Sequence, residues 1–201
     1  MSNNWIELNN WREIPLMSLG THKMQNAVDI VYNSIKDSIR LIIDTATRYW
    51  NEEEIGKDIK RELDEELCKR EDLFIVAKIW LIDKPNPEKG LLESLKKLQL
   101  DYIDLYLDHR QSVKDYRTNQ SDPFDFVSID VFWPNMEPLV TMGLAKSIRV
   151  SNYNVQNLFN LLSICKIKLF ANQVEFQPYL YQKNLKDFSI KEILLLFLIF
   201  L

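Results

Sequence analysis

Short β-branched and leucine-rich runs alternate with amphipathic, charged segments along this 201-residue chain, and that alternation most narrows the folds open to it. An apolar run bounded by turn residues and followed by a helical period of apolar side chains is the pattern of a βα unit; a series of them builds a parallel sheet covered by helices. Leu41-Ile-Ile-Asp44 reads as a buried strand, and Asn51-Glu-Glu-Glu54 as a helix start with a cap residue and an acidic first turn. That helix carries Ile55, Ile59, Leu63 and Leu67 on one face and is expected to end near Lys69-Arg70, where positive charge suits the carbonyl end of the dipole. Leu73 to Lys78 is the next strand, Pro85 and Pro87 punctuate, and Leu91, Leu92, Leu95 and Leu98 mark a helix face. Tyr102 to Leu107 is another strand. A loop-rich stretch over about 110–130 follows, then a helix from about Trp133 to Met142 that stops at Gly143. Ser147 to Val150 and Leu169 to Val174 are further strands, separated by a helix carrying Leu158, Leu161, Leu162 and Cys165. With Leu16 to Leu19 counted first, about six strands alternate with helices, as in a barrel or a doubly wound sheet.

The composition, 46% apolar and 27% charged, supplies one sizeable core, so residues 1–201 are expected to form a single domain. The four glycines, Gly20, Gly56, Gly90 and Gly143, stand alone, and no glycine-rich phosphate cradle can be written with them. Two histidines and two cysteines, Cys68 and Cys165, do not make a zinc site of the usual spacing, and no metal is expected. Both cysteines fall in segments that read as helical and fit a reduced, cytoplasmic compartment. The N-terminus has no basic region followed by an apolar stretch, so no signal peptide is expected. The net charge of −4 is spread in mixed sign, which gives no basic stripe for nucleic acid. Residues 190–201 end in nine uninterrupted apolar residues. That run is far short of the ~20 needed to span a bilayer, and reads as a buried strand, a core helix or a sticky tail.

Polar residues stand at or just beyond the ends of successive strands: Asp44 and Tyr49, then Lys78, then His109. In a parallel barrel such strand ends open on one face, where active sites collect. A phenol is a poor acid at neutral pH, but a neighbouring ammonium favours phenolate, and a carboxylate can hold that ammonium in place and charged. Asp44, Lys78 and Tyr49 therefore make a sensible proton relay, with His109 left to orient a carbonyl. Each residue alone is weak evidence; their joint placement carries the weight.

The same residues sit in recognisable motifs. Ile43-Asp-Thr-Ala-Thr-Arg-Tyr-Trp-Asn-Glu-Glu-Glu-Ile-Gly56, Arg70 to Trp80, Leu95 to His109, Met142 to Asn152 and Asn172 to Tyr179 resemble, in order, five motifs of the aldo-keto reductase family. The resemblance runs from about Ile14 to Gln182. It implies a (β/α)8 TIM-type barrel with a short N-terminal β-hairpin, binding NADPH, with NADH also compatible, in the absence of a Rossmann fold. It further implies reduction of a small aldehyde or ketone, with Tyr49 as general acid, Asp44 and Lys78 as its tuning partners and His109 as carbonyl orienter. Ser151, Asn152 and Gln173 match positions that bind the nicotinamide carboxamide in that family; Gly20, Thr21 and Asp44 match further cofactor-side positions; and by the same resemblance Trp80 would line the substrate pocket.

Departures from the family pattern are His22 in place of tryptophan, Arg110 in place of an aromatic, and Arg149 in place of glycine, where it either crowds the cofactor or points to the helix layer. The likeness fades after Gln182 and the 190–201 tail is not family-like, so the barrel is expected to be incomplete, with about six of eight βα units. The alternative to an active reductase is a truncated, inactive remnant or a partner-binding barrel fragment, self-associating through open sheet edges or the apolar tail.

Overall fold

The computed structural model describes residues 5–7, 13–24, 27–36, 42–111 and 127–199. A hairpin of β1 (Trp5–Glu7) and β2 (Glu13–Pro15) precedes a parallel sheet whose strands follow chain order. Its first four strands are β3 (Ser18–Gly20), β4 (Ile42–Asp44), β5 (Phe74–Ile79) and β6 (Leu105–Asp108). The remaining three are β7 (Ile148–Ser151), β8 (Ala171–Glu175) and β9 (Leu195–Ile199). Between them run α1 (Ala27–Lys36), α2 (Glu52–Asp64), α3 (Pro87–Leu98), α4 (Ile129–Met136), α5 (Pro138–Thr141), α6 (Val155–Ile164) and α7 (Lys183–Lys191). The architecture is a curled, incomplete (β/α)8 barrel of seven parallel strands, with β3 and β9 at the two ends of the sheet.

Strand alternation divides the core in two. Ile43, Ile75, Ala77, Ile79, Tyr106, Ile148, Val150 and Val174 face the helices. The alternate residues Ile42, Val76, Leu105, Leu107 and Ala171 meet inside the curl with Phe170, and Ile14 of the hairpin joins them. Arg149 shares the inner face of β7 with Ser151, opposite Leu107, and its guanidinium lies 3.1 Å from the Phe170 ring centroid. Arg149 thus lies inside the curl and does not point to the helix layer.

Several element boundaries differ from the sequence reading. Helix α2 stops at Asp64 and leaves Leu67 exposed; Arg70 instead binds the carbonyls of Leu73 and Tyr102 and the Asp104 carboxylate. Cys68 consequently lies outside the helix. Leu92 is exposed, so the buried face of α3 is Leu91, Leu95 and Leu98. The expected 133–142 helix begins earlier, at Ile129, and is broken into α4 and α5 at Pro138, which lacks the N–H to continue the ladder. Leu41 and 112–126, the body of the expected long loop, lie outside the described residues, as do Phe200 and Leu201. The apolar tail supplies a seventh strand: β9 pairs with β8 from Ala171↔Leu195 to Glu175↔Ile199. No described helix is long and apolar enough to cross a membrane.

Helices α2 and α3 pack closely where Gly56 passes the Lys97 carbonyl and the Leu98 backbone; any Cβ there would collide with them. This close crossing fixes α2, whose N-terminus follows the Tyr49 turn.

The end of β6 is held by a buried ionic cluster. Asp108 has no exposed surface; it accepts from Lys84 Nζ at 2.8 Å and from Tyr153 OH at 2.7 Å. Lys84 Nζ also donates to the Arg110 carbonyl at 2.8 Å, so it grips the chain on both sides of His109. Burial raises the Asp108 carboxyl and lowers the Lys84 ammonium, and each partner's charge opposes the shift. Removing one member of such a pair leaves a buried charge uncompensated. Lys84→Met is expected to destabilise the protein by about 3–5 kcal/mol in chemical denaturation, whereas Lys57→Ala, on the exposed face of α2, should change stability by less than about 0.5 kcal/mol.

Candidate active site

The residues singled out in the sequence meet at the C-terminal ends of the strands, the end where (β/α)8 barrels carry their chemistry. Asp44 is the last residue of β4, opposite Gly20 of β3. Lys78 stands near the end of β5, Ser151 ends β7, and Gln173 lies on β8 opposite Ser151. His109 follows β6 directly.

At the centre is the Lys78 ammonium, with 1% of its side-chain surface exposed, paired to the Asp44 carboxylate. Its Nζ also donates to the Tyr49 hydroxyl at 3.0 Å. Burial works to lower the Lys78 ammonium, but the Asp44 charge and Tyr49 outweigh it, so its pKa is raised and the side chain stays cationic. The other Asp44 oxygen accepts from Gln173 Nε2 at 2.5 Å, which ties β8 to β4 across the curl.

Tyr49 is delivered by a 3-10 turn, Thr47–Tyr49, followed by Trp50 in the left-handed region at φ 62°. A non-glycine residue there costs on the order of 1–3 kcal/mol and persists where the surroundings dictate it. Those surroundings include Thr47 Oγ1, which donates to the Lys78 carbonyl at 3.2 Å. Asn51 caps α2 by position, but its side chain makes no cap bond. It donates instead to the Thr21 carbonyl at 2.8 Å, while the Thr21 N–H and hydroxyl both donate to the Asp44 carbonyl at 3.0 Å. The loops after β3 and β4 are thereby stitched together beside Asp44.

The aromatic rings form a chain over these groups. His22 lies 4.9 Å from Tyr49 between ring centroids, Tyr49 lies 5.7 Å edge-on to His109, and His109 lies 5.1 Å from Trp80. Burial lowers the His109 pKa to about 3, helped by the positive charges of Lys78, Arg110 and Arg48, so the imidazole is neutral. The His109 carbonyl accepts from Asn152 Nδ2 at 2.9 Å, and Asn152 also donates to Ser151 Oγ at 3.1 Å. Asn152 holds a left-handed φ of 59° to reach both.

All four candidate chemical residues, together with Thr21, Ser151, Asn152, Gln173 and Trp80, thus surround one site. Gly20 borders it, with open space where a Cβ would stand. Gln173 Oε1 is buried with no hydrogen-bond donor among the described residues. An acceptor left in that state suits a ligand amide N–H, so the residues present fit a nicotinamide carboxamide. The sequence reading missed Lys84, Asp108 and Tyr153. The available signal was Asp108 itself, a carboxylate on the helix-facing side of an otherwise apolar strand, which demands a buried partner.

Residues 16–193 match the Aldo/keto reductase family. The chain is 37% identical to an NAD(P)H-dependent D-xylose reductase of Pachysolen tannophilus over 94% of its own length and 64% of that protein's. It is 39% identical to an aldose reductase of Encephalitozoon cuniculi, over 90% of this chain and 64% of the relative. It thus spans just under two thirds of the length of these relatives. Among solved structures, an aldo-keto reductase of Bombyx mori in complex with NADP superposes with a TM-score of 0.85 at 33% identity, covering 96% of this chain and 64% of that one. An aldose reductase from Schistosoma japonicum gives 0.83 at 31% identity. By the extent of that match the chain belongs to the aldo/keto reductase family.

Proposed function

We propose that this site reduces an aldehyde or ketone to the alcohol with a nicotinamide cofactor, NADPH or NADH, and that Tyr49 is the proton donor. The observation that carries the reading is the Lys78 ammonium, buried, paired with Asp44 and 3.0 Å from the Tyr49 hydroxyl. Loss of a proton leaves negative charge on the phenol oxygen, and a buried cation already held beside it stabilises that charge before any rearrangement occurs. Asp44 holds the ammonium in place by ion pairing and is itself held by Gln173. A neutral His109 offers one ring N–H to the carbonyl oxygen and orients it towards Tyr49.

Ser151, Asn152 and Gln173 would hold the carboxamide of the cofactor, with Gln173 Oε1 as acceptor. When bound, the reduced nicotinamide supplies the hydride. The protein contributes the proton, the orientation of the carbonyl and the polar surroundings of the developing alkoxide. The relatives' names support both cofactors, since one is called NAD(P)H-dependent and another, from Candida parapsilosis, NADH-dependent.

The reading is tested by following NADPH oxidation with 4-nitrobenzaldehyde. Tyr49→Phe keeps the ring but removes the donor, and kcat should fall by about 10²–10⁴-fold with cofactor affinity unchanged; undiminished turnover would overturn Tyr49 as the acid. The pH dependence tests His109. Its pKa near 3 means that it does not gain a proton between pH 5 and 8, so kcat/KM should show no His109 inflection near the ordinary histidine value. An inflection near pH ~6.5 that disappears in His109→Gln would contradict the neutral, buried imidazole.

A further inference from the structure

Among the described residues, two guanidinium groups beside the site, Arg48 and Arg110, have no carboxylate partner. Arg48 lies 5.6 Å from the Trp80 ring centroid and 5.6 Å from that of Trp50, and Arg110 lies 5.9 Å from the same Trp80 ring. Trp80 in turn stands 5.1 Å from His109, so both cations are one ring away from the proposed carbonyl orienter. Among the described residues, neither guanidinium has a carboxylate within ion-pair distance. Arg61 and Arg70 show the contrast: each binds an acid, Glu65 at 2.8 Å and Asp104 at 2.9 Å. The carboxylates near the site are already committed, Asp44 to Lys78 and Asp108 to Lys84.

We propose that the preferred substrates are aldehydes and ketones that carry an anionic group, a carboxylate or phosphate, held by Arg48 and Arg110 beside Trp80. The argument is electrostatic and geometric. Both guanidiniums lie near one indole, and an anion that meets them offsets their like charge while gaining charge-assisted hydrogen bonds to planar donor forks. The indole braces the guanidiniums, which reduces the rotamer freedom lost on binding. The uncompensated positive field at the mouth also steers anions towards the site. This proposal rests on the carbonyl-reducing reading above and names the substrate class for that same site.

The test uses the intact chain and two readouts. Calorimetric binding of the alcohols 4-(hydroxymethyl)benzoate, 4-(hydroxymethyl)phenyl phosphate and the neutral 4-(hydroxymethyl)benzamide needs no turnover; NADPH oxidation with 4-formylbenzoate and 4-formylbenzamide reports chemistry. At least one anionic alcohol should bind about tenfold more tightly than the amide, equivalent to about 1.4 kcal/mol. In the folded Arg48→Gln/Arg110→Gln double variant, checked by circular dichroism, that preference should collapse to near parity while amide binding changes little. Equal affinity of anions and amide for the unaltered chain, or a preference that survives in the double variant, overturns the proposal. Failure of the underlying reading looks different. If the anion preference is present but neither aldehyde oxidises NADPH, the anion site stands and the reductase reading falls; if both aldehydes are reduced equally well and bind equally, the reverse holds.

Discussion

The buried pairing of Lys78 with Asp44 is the interaction on which the rest of this site depends. An ammonium with 1% of its side chain exposed is costly to bury, and a carboxylate of good geometry is what makes it tolerable. The pair in turn organises its neighbours: Tyr49 accepts from Lys78, Gln173 donates to Asp44, and Thr21 fastens the Asp44 backbone. Strands β3, β4, β5 and β8 are thereby joined at one end of the sheet by polar contacts, while the apolar cluster inside the curl closes the other. Apolar packing fills the inside of the curl, and the polar candidate site lies where the strands end.

A second buried lysine–aspartate–tyrosine cluster, Lys84, Asp108 and Tyr153, lies behind the first on the helix-facing side of β6. Both clusters place a cation against a carboxylate and a phenol, yet they do different work. The first shares the inner face with the rings of Tyr49 and His109. The second clamps the backbone on both sides of His109, and Asn152, just beyond β7, holds the His109 carbonyl. The position of the imidazole is thus decided by β6 and by the segments that follow β5 and β7, rather than by its own loop.

Much of this was legible in the sequence because the strands are short apolar runs with polar residues at their ends. Asp44, Lys78 and His109 are readable as strand-end residues, and Asn51 as the start of α2. Other features depend on contacts between residues far apart in the chain. The Asn51 side chain forgoes the cap bond for the Thr21 carbonyl, a choice made by a loop 30 residues away. The left-handed turn at Trp50 leaves no glycine as a marker. The apolar tail was ambiguous because an unbroken apolar run has no period to separate strand from helix; its pairing with β8 decides the matter. Lys84 sits among prolines and turn residues, where no spacing rule flags a buried ammonium. Arg149 resisted assignment for a similar reason, since its place inside the curl depends on the Phe170 ring.

The central claim is that Lys78 is a cation because Asp44 makes it one, and the most direct measurement is the 15Nζ chemical shift of Lys78 followed by NMR against pH. The account predicts an ammonium signal that persists above the ordinary lysine titration range, and an Asp44→Asn variant in which burial is opposed by Tyr49 alone and the titration moves down. A neutral Lys78 amine at pH 7 in the unaltered protein, or a titration that Asp44→Asn leaves in place, would contradict it.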